Sequence, residues 1–519
     1  MSAVSVPFGT GSERPRTVKV GLCLIAGALI FGTLAGALGA AGHTPYVLAL
    51  SVVLLPVLVW KRPQLCPVVL LVAAVMVEQV GLSVSSDGGT ATGLANVALT
   101  PNIPLTPHIP LFRGLSSIHL EGADVLLLML FVVYLAKSAG AIRPWPRSQL
   151  STSIYSLLGV VAFGIVIGVS HHGSLRTALM ETRPFVYLAA AYLLTSLVVT
   201  NKRSLFSMLW AFVIATAAKA AQGVYVWVSV RNMHPRPESM LGHEVAYIFG
   251  VYILLVAALW LFGVKGKLRR TASWLLPVVF FADLVNDRRT AWVLVGAGLL
   301  VLVAIGLVCL PHRRRVLIRT LLVALTISAM YFPLYWNKDG GLAQPARAVH
   351  SLISPDPRDA ASDLYRVQED ANLKLNIKEG GLLGRGFGVP IDYALPIVNL
   401  RSIDPLIAYI PHNGVYYILM RMGILGGVVF WSVLAFGIIA GCRLARSVEP
   451  ELAVVGALLA CALVGYAFEG SLDQGFFFYR IAFITGALLG LTEAAHRIRR
   501  VDAGRIGALL PKPSAPAAT

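Results

Sequence analysis

Apolar runs of about 17–25 residues alternate with short polar junctions along nearly the whole chain, the pattern of helices that cross a bilayer. Fourteen such runs can be marked: 18–41, 45–60, 65–81, 121–137, 151–170, 182–199, 204–228, 242–264, 272–287, 290–310, 316–336, 412–441, 450–469 and 474–495. Outer-membrane barrel strands would instead give short stretches of strict alternation. The expected fold is all-α, a polytopic integral membrane protein of about 14 transmembrane helices. Its first run follows the basic stretch Arg14–Lys19 and exceeds a signal-peptide core, so it reads as a retained helix. Residues 1–336 hold the first eleven helices, 337–411 a long external loop, and 412–495 the last three helices. Residues 496–519 form a tail ending in PKPSAPAAT, a low-complexity stretch expected to be disordered.

Two polar stretches interrupt the pattern. Ser83–Leu120 is rich in Gly, Thr and Pro and reads as an irregular flap, in which His108 and His119 are incidental. Asn337–Ile410 carries Leu364, Val367, Ala371, Leu375 and Ile377 at helical spacing within Arg358–Glu379, an amphipathic helix expected to lie along the outer surface. Glycines 384, 386 and 388 follow it. They allow close approach of backbone to a ligand or tight packing, and with no preceding strand they are not a dinucleotide turn.

Composition agrees with the pattern: 57% of residues are apolar and 13% charged, which excludes a soluble globular chain. The net charge of +18 is explained by topology rather than by nucleic acid. With the N-terminus in the cytoplasm, the junctions at Lys61-Arg62, Lys137 to Arg147, Lys202-Arg203, Lys265 to Arg270, Arg313–Arg315, Arg443 with Arg446, and Arg497–Arg500 all fall on one side. Both termini are then cytoplasmic and the long loop faces outside. The five cysteines lie in apolar runs or at cytoplasmic ends, which argues against disulfides and a cysteine metal site.

Charge inside the spans is one-sided. Glu78, Arg183, Lys219, Glu244, Asp283, Arg288, Arg289, Arg421, Glu469 and Arg480 all fall in the outer halves or at the outer rim. That asymmetry describes a cavity open to the outside over a dry floor, whereas a transporter needs polar groups at both depths. Arginine outnumbers carboxylate among these residues, and Arg176, Arg231, Arg236 and Arg385 lie in adjoining loops, so an anionic, phosphorylated ligand is favoured. Arg421 stands nine residues beyond His412, and at about 1.5 Å per residue it lies roughly 14 Å below the start of its helix. His412 supplies a group that exchanges protons near neutral pH, and Asn413 is placed to orient the ring or to donate to substrate. No HExxH, GxSxG or paired-cysteine motif occurs, and no metal or cofactor is expected.

Three stretches resemble the O-antigen ligase and O-antigen polymerase superfamily of bacterial envelope glycosyltransferases over residues 240–430. Asn286–Val295 (NDRRTAWVLV) is similar to the family's Ser-Arg-Gly-x-Trp helix start, with Arg289 and Trp292 at the arginine and aromatic positions. Arg366, eighteen residues before GRGFG, resembles the loop arginine that precedes a Gly-x-Gly turn. His412-Asn413 with Gly423 and Gly426 looks like the His-Asn … Gly-x-x-Gly helix. Arg183, in ETRPFVYL, stands where the family often has an external arginine. Two positions depart from the pattern: Arg421 replaces an acid, and Asp370 an aromatic.

The resemblance implies a GT-C-type enzyme of the bacterial cytoplasmic membrane whose donor is a glycan on a polyprenyl diphosphate lipid. Arg183, Arg288, Arg289, Arg421 and Arg480 would bind the diphosphate, and Asn413, Lys219, Arg385 and Arg366 would contact substrate or acceptor. His412 would take the proton of the acceptor hydroxyl in a metal-independent, inverting transfer to a glycan or lipid acceptor. The alternative is a transporter or flippase for lipid-linked glycans.

Overall fold

A computed structural model describes residues 55–77, 121–138, 145–230, 240–338, 341–355, 357–398 and 405–509. The expectations for the first run, for Glu78, for the flap with His108 and His119, for Arg231 and Arg236, and for residues 510–519 of the tail fall outside these residues, whereas 496–509, expected to be disordered, continue a helix.

Every regular element of the described residues is helical. In order they are α1 (Cys66–Met76), α2 (Gly122–Lys137), α3 (Gln149–Ser170), α4 (Leu175–Val198), α5 (Lys202–Val230), α6 (Val245–Leu261), α7 (Lys267–Val285), α8 (Arg289–Cys309) and α9 (Arg314–Tyr335). There follow α10 (Gln344–Ile353), α11 (Pro357–Gly380), α12 (Gly414–Ala445), α13 (Pro450–Leu472) and α14 (Tyr479–Leu509). Six helices among the described residues are long and apolar enough to cross a membrane, in α3, α5, α8, α9, α12 and α13, or seven if Leu55–Lys61 and Pro63–Met76, bent by 117°, form one broken span. This is a membrane protein.

The expected fourteen spans are thus matched in part. The helices α4, α7 and α14 form where spans were expected but carry internal or terminal charge, and α6 is a shorter apolar helix of 17 residues. Short connections make sequential helices antiparallel neighbours. Lys202 bonds Glu449 at 2.6 Å and Asp502 at 3.1 Å, and Arg313 donates to the Leu261 carbonyl at 2.7 Å. These contacts join the junctions at 202, 449 and 502, and those at 261 and 313.

The bundle is built around α13, which packs against α6, α8, α12 and α14, while α14 lies along α4. By contrast α9 leans on α8 and α10, and nothing in its apolar window is buried. Among the described residues little covers this apolar helix, which accords with one that faces lipid.

Two features of the loop position the site. Along α11 the polar face, not the apolar one, packs on protein: Glu369, Asn372, Leu373 and Asn376 are buried, while Leu364, Val367 and Leu375 are exposed. Asn372 donates to and accepts from the backbone of Leu395, and Asn376 does the same with Asp392. At i and i+4 on one face, these amides zip the helix to the extended chain. The outward apolar stripe accords with a helix at a lipid surface. The shorter α10, also in the loop, was not legible from its sequence.

The second feature is a break in α12. Gly423 sits at φ 64° and ψ −166°, a kink that frees the carbonyls of Met420 and Arg421. These accept from the backbone N–H groups of Arg385 (2.7 Å) and Gly386 (3.0 Å), so the glycine loop completes the ladder of the helix. On its other side Phe387 N–H donates to the Gly164 carbonyl of α3 at 3.1 Å. Of the two uses open to these glycines, tight packing is the one seen. Gly386 has φ 79°, and a Cβ there would stand 2.1 Å from the backbone nitrogen of Gly168. Gly386→Ala is expected to destabilise the protein by about 2–4 kcal/mol, combining left-handed backbone strain with overpacking. Thermal melting of the detergent-purified variant checks this; an unchanged midpoint refutes the packing.

Candidate functional site

The start of α12 is fixed by its own N-cap. Asn413 accepts from Tyr416 N–H at 3.1 Å through its side-chain oxygen, and its amide donates to Asp370 of α11 at 3.1 Å. Asn413 thereby caps the helix, beside the contact with substrate expected of it. One residue earlier stands His412, with 23% of its side chain exposed, against the buried carboxylate of Glu369. Glu369 accepts from His412 backbone N–H at 2.9 Å and lies 3.2 Å from its Nδ1. Adjacent positions on α11 thus hold adjacent residues at the head of α12. The rings of Tyr365 and His412 stand nearly perpendicular, their centres 5.5 Å apart.

Further charge surrounds the ring. Asp473, just past α13, lies within electrostatic reach of His412 and 3.4 Å from His243 Nδ1, and Arg366 acts on the ring from α11. Burial works against a charged imidazole here. The hydrogen bond and charge of Glu369, with the charge of Asp473, outweigh both burial and Arg366 and raise His412 above its ordinary value. Burial would raise the Asp473 carboxyl, yet His243 and His412 hold it well below the usual carboxylate range. The result is a strong, partly exposed proton acceptor backed by two carboxylates.

The cations expected to line a cavity are placed differently. Arg421 is buried in an ion pair with Glu181 of α4 at 2.7 Å, and donates to the carbonyls of Gly386, Val389 and Tyr409. Arg480 pairs with Glu244 at 2.8 Å and donates to the Ala74 and Val75 carbonyls at the end of α1. Lys219 donates to the Met76 carbonyl, so two cations cap the C-terminus of α1. Arg183 meets Glu121 at 3.0 Å and Asp124 at 3.2 Å. Arg385 is held by Asn376 and Asp392. Each of these cations meets an acid, an amide or carbonyls of the protein itself, where diphosphate or substrate contacts were expected of Arg421, Arg480, Arg183, Lys219 and Arg385. Local neutralisation accounts for these placements, since an acid or a set of carbonyls from elsewhere in the chain meets each cation.

Positive surplus survives elsewhere. Arg289, Lys338, Arg347 and His350 face a cavity of about 410 Å³ between the ends of α8, α9 and α10, with Asp287 the acidic member of its lining. Trp292 and Trp336 flank it, and Arg289 donates to Ser351 at 3.0 Å. One residue before Arg289, Arg288 lies within electrostatic reach of Glu469, which also accepts from Thr290 and feels Asp473. The end of α13 therefore stands between the head of α8 and His412. Among the described residues no group of three His, Cys, Asp or Glu is placed to hold a metal ion.

Of the residues singled out in the sequence, His412 and Arg366 lie together and Arg289 lines the cavity, while Glu369, Asp473, His243 and the α10 wall of the cavity were not singled out. Glu369 did carry a signal, since it is an acid on the side of α11 opposite the apolar stripe. No family model matches the chain, and no curated protein matches it in sequence.

Proposed function

We propose that this protein is a membrane glycosyltransferase, in the manner of the O-antigen ligases and polymerases its motifs resemble, moving a glycan from a polyprenyl diphosphate lipid to an acceptor hydroxyl. The observation that carries the reading is His412: a partly exposed imidazole at the head of a membrane helix, gripped through Nδ1 and backbone by a buried carboxylate. In the reaction the acceptor oxygen attacks the anomeric carbon while His412 takes the hydroxyl proton. The bond from that carbon to the diphosphate oxygen breaks, its electron pair leaves with the diphosphate, and the anomeric configuration inverts. The cationic cavity at Arg289 supports a seat for the diphosphate, with Arg288 beside it. The alternation of basic junctions along the sequence supports a bacterial cytoplasmic membrane protein with cytoplasmic termini and an outward site.

The test is reconstitution of the purified protein in liposomes with a defined polyprenyl-diphosphate oligosaccharide. A ladder of products means polymerisation, and one transfer to a second lipid means ligation; no glycosidic product from either acceptor refutes the reading. In the same assay Arg289→Lys is expected to lower kcat/KM about tenfold or more, since a point charge replaces a two-pronged donor. Wild-type turnover in that variant removes the diphosphate from this cavity.

A further inference from the structure

Glu369 has no role in the reaction as drawn so far, yet it is fully buried, and both its oxygens face the one residue that moves a proton. A buried carboxylate is costly unless its acceptor capacity is met. Here the backbone N–H of His412 meets one share and the Tyr365 hydroxyl acts on the carboxylate too, yet a proton on Nδ1 is still required, because an unprotonated Nδ1 would set its lone pair against the carboxylate oxygens at 3.2 and 3.3 Å. A neutral imidazole carries one N–H, so a proton fixed on Nδ1 leaves the Nε2 lone pair free.

We propose that Glu369 is a positioning residue for His412: it fixes the neutral ring as the Nδ1–H tautomer and makes Nε2 the atom that accepts the acceptor hydroxyl's proton. This rests on the reading of His412 as general base. The same contact holds the imidazolium once the proton has arrived, with the negative charge of Asp473 on the ring as well. The groups facing the ring are Glu369, Arg366 and Tyr365 from α11 and Asp473 from the end of α13, with His243 behind Asp473. Of these, Glu369 is the carboxylate that touches the ring.

A general base must be neutral to act, so transfer rises with pH through the titration of His412, which Glu369 moves upward. Glu369→Gln keeps the shape and removes the charge. Its acid limb is expected to shift to lower pH, with a fall in limiting rate of about tenfold to a hundredfold, the scale usual for groups that orient an imidazole.

A second measurement does not depend on activity or on that variant folding. In nitrogen-15 histidine-labelled wild-type protein, the His412 signals, identified by their loss in His412→Ala, are expected to show protonated Nδ1 and bare Nε2 at high pH. A bare Nδ1, or an acid limb that stays in place in Glu369→Gln, overturns the proposal. Full transfer by His412→Ala sinks the general-base reading itself. Loss of transfer in that variant with an unmoved limb in Glu369→Gln sinks the positioning role alone.

Discussion

His412→Ala is expected to lower glycan transfer by about 10²–10⁴-fold while leaving the yield of folded protein close to wild type. The two halves of this expectation come from different contacts. Removing the ring removes the proton acceptor, but the backbone N–H of residue 412 still donates to Glu369, and the Asn413 cap is untouched. The stability cost is one charge-assisted contact, about 1.5–3 kcal/mol. Transfer rates in liposomes, read beside size-exclusion profiles and melting midpoints, separate the two effects. Near-normal transfer from the alanine variant would remove the enzymatic account at its centre.

The second large effect is on folding. Arg421→Leu is expected to destabilise the protein by about 3–5 kcal/mol, because Glu181 is left as a buried charge without its counter-ion. The double variant Arg421→Leu/Glu181→Leu is expected to recover only part of the loss. It removes the stranded charge, but the carbonyls of Gly386, Val389 and Tyr409 lose their donor, the first two at buried positions. Melting midpoints of the two single variants and the double variant measure the coupling. If Arg421→Leu melts with wild type and transfers poorly, the guanidinium belongs to the substrate after all and not to the fold.

Arg421 also shows how far sequence could be read. Its depth follows from counting along an apolar helix, and so does the conclusion that a lone arginine there needs company. The identity of that company does not follow. Glu181 is 240 positions earlier on another helix, and Glu244 is 236 positions before Arg480; nothing local in either stretch announces the pairing. Counting charges one by one therefore suggested a positive cavity where the folded chain has neutral pairs. The amphipathic helix of the loop was legible because its period is local, and its ends agree within a residue. Which of its faces meets protein was not, since the apolar stripe that buries itself in a soluble protein is turned outward here.

The break at Gly423 bears on how the molecule is made. Synthesis runs from the amino end, so 381–391 emerges before the helix whose carbonyls it will bind. Until 414–445 has threaded the bilayer, that glycine stretch has the α3 side of its berth and not the other. The newborn chain must therefore carry an unmated segment through an interval of insertion, during which proteases and quality control have their best access. Variants slow to insert the twelfth helix should be lost at this stage, before any defect in chemistry can be seen.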